Sequence, residues 1–188
     1  MGNVEDVMGD TDVDFAGRRG VPLSVDWCTP PKYVSAIVDM LGEIHLDPCS
    51  NSHSIVPAKI RYSLPFIDGL KQSWDYPTIF CNPPYGADRR MGTTIKHWVQ
   101  KCSDASKDHG SEVLALIPVA TNTRHWKDSI FGHAQGVCFL YDTRLKFLIE
   151  GSTENKGAPM ACCIVYWGKH IQKFYCIFEK FGAVVALT

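Results

Sequence analysis

The residues with the clearest chemical purpose are Asn82-Pro83-Pro84-Tyr85, which follow the apolar run Thr78-Ile79-Phe80-Cys81. Two consecutive prolines cannot extend a strand ladder, so the backbone must leave a sheet here in a stiff, fixed shape. Pro83 also restrains Asn82 to an extended conformation. The Asn82 side-chain oxygen and the Pro83 carbonyl can then form a pair of acceptors suited to a planar NH₂ group. Tyr85 adds a ring that can stack on a flat heterocycle. Accepting both protons of an exocyclic amine turns its nitrogen lone pair out of conjugation and towards an electrophile. The plain alternative is a proline turn that only ends a strand. With proline at ~5% per position, the tetrapeptide is a chance event of roughly one in a thousand.

The elements that must position this group follow from apolar periodicity. Thr29 reads as an N-cap and Pro30 as the first helical position. Val34, Ile37, Val38 and Leu41 then give an apolar face, and Gly42 ends the helix. A short strand, 44–46, runs into Asp47-Pro48-Cys49-Ser50-Asn51, and 59–63 is a second strand candidate. Residues 78–81, 113–119, 137–141 and 161–167 read as strands, the first two buried on both faces. Ile95, Trp98, Val99, Cys102 and Ala105 mark a helix, and Thr121-Asn122-Thr123 caps a short one through Phe131. The stretch 150–158 is a loop, and Ile171, Phe174, Phe178 and Phe181 suggest a closing helix. Strands alternating with helices predict an α/β fold around a mainly parallel sheet, its last two strands antiparallel. Ligands of such sheets sit at the carboxyl ends of the strands, where Asp47 and Asn82 both fall. Trp98 and Trp167 read as core, whereas His125-Trp126 belong either to a base pocket or to a surface helix.

Composition narrows the class. The chain has 188 residues, 45% hydrophobic and 21% charged, which suits one domain with a sizeable core. No apolar run approaches the ~18 residues that span a bilayer, and no signal pattern opens the chain, so no membrane partner is expected. The formal net charge of −1 hides a split. The first 14 residues hold five carboxylates and no Lys or Arg, so the rest carries 19 basic against 15 acidic groups, a net +4. Residues 1–24 read as a flexible acidic leader and 25–188 as one catalytic domain. The eight cysteines include no Cys-x-x-Cys pair and mostly sit in apolar surroundings, so reduced thiols and a cytoplasmic setting are expected. His45, Cys49 and His53 form a loose cluster without a matched second pair, and no metal is expected.

Taken together, these motifs resemble the S-adenosylmethionine-dependent amino-methyltransferases, in particular the phage-type Dam family of DNA N6-adenine methyltransferases. The resemblance covers about 26–182. Its anchors are Trp27-Cys28-Thr29-Pro30, Leu46-Asp47-Pro48-Cys49, Asp68-Gly69-Leu70 with Trp74, Asn82-Pro83-Pro84-Tyr85-Gly86, Leu116-Ile117-Pro118, Arg144-Leu145-Lys146-Phe147 and Ala158-Pro159. It implies a Rossmann-like methyltransferase fold, a mostly parallel sheet with an antiparallel edge strand and a shortened second-strand region. The implied cofactor is S-adenosylmethionine, the partner DNA, and the setting the cytoplasm of a bacterial host cell.

By the same resemblance, Thr29 and Pro30, with Trp27, contact the methionine end of the cofactor. Asp47, Pro48, Cys49, Ser50 and Asn51 wrap its amino-acid and ribose part, and Asp68 lies near its adenine amine. Asn82, Pro83, Pro84 and Tyr85 hold the target adenine, with Asn82 also beside the cofactor, and Phe147 stacks the other face of the base from the far rim. Arg89, Arg90, Arg144 and Lys146 are candidates for phosphate contacts, which position DNA without reading sequence. Three features depart from the pattern. Residues 47–52 contain no glycine, the interval from Cys49 to Asp68 is short, and no acidic residue between Asp47 and Asp68 can serve the ribose.

The implied mechanism is direct transfer of a methyl group to an adenine amine taken out of the base stack. An RNA adenine or guanine amino-methyltransferase is the competing enzyme. Protein-glutamine and cytosine-N4 enzymes fit less well, the first for want of a match around Trp27 and 144–147, the second because they usually carry Ser at position 82. A silent cofactor- or DNA-binding module is the alternative outside enzymes.

Overall fold

The computed structural model describes residues 27–88, 91–142, 145–149 and 160–187. The elements, in chain order, are β1 (Trp27–Cys28), α1 (Pro31–Leu41), β2 (Ile44–Asp47), β3 (Ala58–Arg61), a 3-10 turn (Gly69–Lys71), β4 (Thr78–Cys81), β5 (Ala87–Asp88), β6 (Thr93–Thr94), α2 (Ile95–His109), β7 (Glu112–Pro118), α3 (Arg124–Ser129), β8 (Gly136–Leu140), β9 (Leu148–Ile149), β10 (Cys162–Trp167), α4 (Ile171–Phe178) and β11 (Gly182–Ala186).

Seven strands form the central sheet in the order β11-β8-β10-β7-β4-β2-β3. The pairs β2–β3, β2–β4 and β4–β7 are parallel, whereas β10 runs antiparallel to both β7 and β8, and β11 antiparallel to β8. Five of the seven strands therefore point the same way. The sequence predicted the antiparallel β8–β10 pairing but placed an antiparallel strand at the edge. Instead β10 is inserted inside the sheet, and the antiparallel edge is β11, a strand the periodicity did not show. The closing helix stops at Phe178, and Phe181 lies in the turn before β11.

Side-chain alternation explains why the chain forms these layers. Along β7, Leu114 and Leu116 pack on the face covered by α1 and α4, while Val113, Ala115 and Ile117 pack on the face of α2 and α3. The neighbouring cysteines of β10 divide in the same way, Cys162 to the first face and Cys163 to the second. Trp98 and Trp167 are core residues, at 7% and 1% exposure. His125 and Trp126 are buried as well, and Trp126 stacks on Phe139, so α3 is not a simple surface helix. None of the eight cysteines, all of them among the described residues, is in a disulfide, and Cys176 is exposed rather than set among apolar neighbours. No helix among the described residues is long and apolar enough to cross a membrane.

The helix cap also differs from expectation. Pro30 is the N-cap of α1 and Pro31 its first residue. The Thr29 hydroxyl instead meets the Asn82 amide. Between β2 and β3 there is no helix, only the loop 48–57, so the second-strand region is one short edge strand.

Candidate active site

Asp47 closes β2 at the carboxyl edge of the sheet. The ladder with β3 continues into the turn that follows: Tyr62 N donates to Asp47 O at 3.0 Å, and Ser50 N donates to Tyr62 O at 2.9 Å. Asp47 is 4% exposed. Burial pushes its carboxyl up to about 6, opposed by the Ser50 and Ser54 hydroxyls, the Cys49 amide and the charge of Arg61. Cys49 N donates to Asp47 Oδ1 at 3.3 Å. Further along the turn, Asn51 Oδ1 accepts from His53 N at 2.9 Å and from Cys28 Sγ at 3.4 Å. The Ser50 hydroxyl is buried here, close to the Asp47 carboxylate.

A glycine does approach this turn, but from another segment. A Cβ on Gly69 would sit 1.8 Å from the Pro48 carbonyl oxygen, so the 3-10 turn lies directly against the Pro48 backbone. Its position is braced twice. Trp74 Nε1 donates to Gly69 O at 2.9 Å, and Lys101 Nζ donates to Leu70 O at 2.8 Å. Asp68 caps the same turn, accepting from Leu70 N at 3.1 Å and facing Lys71 at 3.4 Å. The Asp68-Gly69-Leu70 and Trp74 signature thus acts as a buttress behind the turn.

Asn82 follows β4 directly. Its Nδ2 donates to Thr29 Oγ1 at 3.2 Å and to Trp27 O at 3.4 Å. A backbone carbonyl can only accept, which fixes the amide with nitrogen towards residues 27–29. No described residue donates to Asn82 Oδ1, the acceptor end that remains. The Tyr85 hydroxyl donates to Leu116 O at 3.2 Å, and burial holds its pKa well above the ordinary phenol value. Around it, Trp27 and Phe147 stack with centroids 5.0 Å apart at 18°, and both meet Tyr85 edge-on, at 6.1 Å and 5.7 Å. Pairing of β1 with β9 brings these rings together across the chain. Phe147 is fully buried, so it lies beneath the rim and not on it.

The space between these segments is a narrow cleft lined by Trp27, Cys28, Thr29, Asp47, Cys49, Ser50, Asn51, Ser54, Val56, Phe80 and Asn82. Seven of the residues assigned from sequence meet there. Pro30, Pro48 and Asp68 do not line it. Cys28, Ser54, Val56 and Phe80 were missed, because nothing in their types marks them and only folding brings them in. Lys146 is exposed, and Arg89, Arg90 and Arg144 lie outside the described residues. The loose His45, Cys49 and His53 group does not converge: His45 contacts Thr78 and Glu43, whereas Cys49 Sγ lies 3.6 Å from Cys81 Sγ.

No curated protein and no solved structure matches the chain. The family model for DNA N-6-adenine-methyltransferase (Dam) matches residues 21–185. With nearly its whole length covered, the chain belongs to the Dam family of DNA adenine methyltransferases.

Proposed function

We propose that this protein transfers a methyl group from S-adenosylmethionine to the N6 amine of adenine in DNA. In this reading residues 25–188 form one Rossmann-like catalytic domain behind the acidic leader 1–24, working in the cytoplasm of a bacterial host cell. The observation that carries it is the fixed Asn82 amide, whose free Oδ1 sits at a strand end beside a cleft containing a buried carboxylate.

The cleft suits the cofactor chemically. Asp47 is the single charged side chain among its lining residues, complementary to a ligand bearing a sulfonium and an ammonium. The Ser50 hydroxyl lies buried beside Asp47, on the wall of the same cleft. The cleft is narrow, and its lining joins the turn after β2 to the Asn82 end of β4, the two segments assigned to the cofactor and to the amine. When bound, the cofactor supplies an electrophilic methyl group, and no covalent enzyme intermediate is needed.

The protein's own contribution is positioning. Asn82 Oδ1 and the Pro83 carbonyl would accept hydrogen bonds from the two amine N–H groups and leave the nitrogen lone pair available to an electrophile. The amine gives up one proton to water on becoming N-methylated. Pro84 keeps that backbone stiff. Adenine in a duplex must first leave the stack. Tyr85 offers a stacking surface worth roughly 1–3 kcal/mol per base. Its hydroxyl is held by Leu116 O and its ring by Trp27 and Phe147, so the platform is pre-formed. In this reading Phe147 supports Tyr85 from below, because Trp27 covers its face.

Nucleoside mass spectrometry after incubation with S-adenosylmethionine tests the assignment, with DNA and RNA in parallel. N6-methyladenine in DNA supports it, and product in RNA alone would transfer the enzyme to RNA. Asn82→Ala should reduce turnover at least a hundredfold, about 2.7 kcal/mol of transition-state stabilisation, with cofactor affinity kept within a few-fold. Normal turnover in that variant would refute the role of Asn82.

A further inference from the structure

We propose that Thr29 is a positioning residue for Asn82, acting through the side-chain amide and not through the cofactor. This inference rests on the methyl-transfer reading above and assigns one of its residues a different task.

The two ends of an asparagine amide have nearly the same shape and opposite hydrogen-bonding character. Only one orientation offers an acceptor to a substrate amine. The reverse would set NH₂ against NH₂ and leave the amine unbound. A catalytic asparagine therefore needs something that tells its ends apart. Trp27 O does so, because in the reversed orientation two acceptor oxygens would face each other. Thr29 Oγ1 adds the second acceptor for Nδ2 at 3.2 Å. Thr29 is 2% exposed, so water cannot take over its bond if it is lost.

The surrounding fold keeps this arrangement in place. Thr29 lies between β1, which is paired to β9, and α1, which starts at Pro31. The adjacent Cys28 donates its thiol to Asn51 Oδ1 at 3.4 Å, on the turn assigned to the cofactor. Residues 27–29 therefore touch both halves of the site and hold Asn82, assigned to the adenine amine, in register with the turn assigned to the cofactor.

The experiment compares Thr29→Val, which keeps the shape and removes the acceptor, with Thr29→Ser, which keeps the acceptor. In Thr29→Val, kcat at saturating cofactor should fall by about three- to tenfold, the size of one lost neutral hydrogen bond. Cofactor Kd by calorimetry should stay within about twofold, and Thr29→Ser should recover most of kcat. A readout independent of turnover is the Asn82 side-chain NH₂ signal in protein labelled with ¹⁵N-asparagine, identified by its loss in Asn82→Ala. That signal should move in Thr29→Val and stay near the wild-type position in Thr29→Ser. Weakened cofactor binding with unchanged kcat would make Thr29 a cofactor contact and overturn the proposal, as would an unmoved Asn82 signal. If Thr29→Val does not fold, Thr29→Ala carries the same comparison. A wild-type protein that makes no N6-methyladenine would sink the methyl-transfer reading, while the NMR comparison would still decide the positioning role.

Discussion

Replacing Asp47 with asparagine should stabilise the free protein and weaken its binding of a cationic cofactor. Burial raises the Asp47 carboxyl from an ordinary 3.8 to about 6. The folded state therefore holds this proton more tightly than the unfolded chain. The sign follows from linkage: stability is greatest at low pH and falls as pH rises from about 4 to about 6, then levels off. A shift of about two units corresponds to roughly 3 kcal/mol lost by pH 7. The Asp47→Asn substitution keeps the shape and the oxygen that accepts from Cys49 N while removing the charge. At pH 7 the variant should gain about 1–3 kcal/mol. The assay is urea denaturation of both proteins from about pH 4.5 to 7.5, taking the difference at each pH so that other carboxylates cancel. The difference should grow through the window near pH 5–6. Calorimetry with S-adenosylmethionine should show wild-type affinity falling as pH drops below about 6, and a weaker, flatter profile for the variant. Equal or lower stability of the variant at pH 7, with parallel pH profiles, would refute the buried-charge argument.

Two further perturbations test the edge of the site. Gly69→Ala drives a Cβ into the Pro48 carbonyl, a backbone atom that cannot swing aside, so it should cost at least about 1–3 kcal/mol and reduce cofactor affinity more than about tenfold. Thermal melts and calorimetry check both effects, and wild-type values for both would contradict the close approach. If Arg89 and Arg90 neutralise phosphates, replacing both with alanine should flatten the dependence of log K on log salt by about 1.8, and an unchanged slope would leave them as ordinary surface charge.

The central layers were legible because buried strands such as β7 and β10 and the helices α1 and α2 carry strong periodicity. β11 was not, since Gly182–Ala186 is a short apolar run that local pattern cannot distinguish from a helix end. The two-residue ribbons were invisible for the same reason. At the site, Asn82, Asp47 and the turn after it were readable from residue type at a strand end. The roles of Thr29, Gly69 and Trp74 were not, because each depends on a partner that local pattern does not reveal. Thr29 meets a residue 53 positions away, and the missing glycine loop is answered by a glycine beyond β3.

The pairing of Cys28 with Leu148 spans 120 residues, and it holds the strap beside Asn82. On the ribosome, at ~5–20 residues per second, the Trp27–Cys28 strap would wait about 6–24 seconds after residue 28 is made before Leu148 is made to latch it. The strap beside Asn82 is therefore latched only after β2, β4, β7 and β8 have been made. A ribbon of two residues per strand is also among the first to open. Amide exchange at Cys28 should run faster than in β7, which would make the readiness of Asn82 a fluctuating property of a rigid fold.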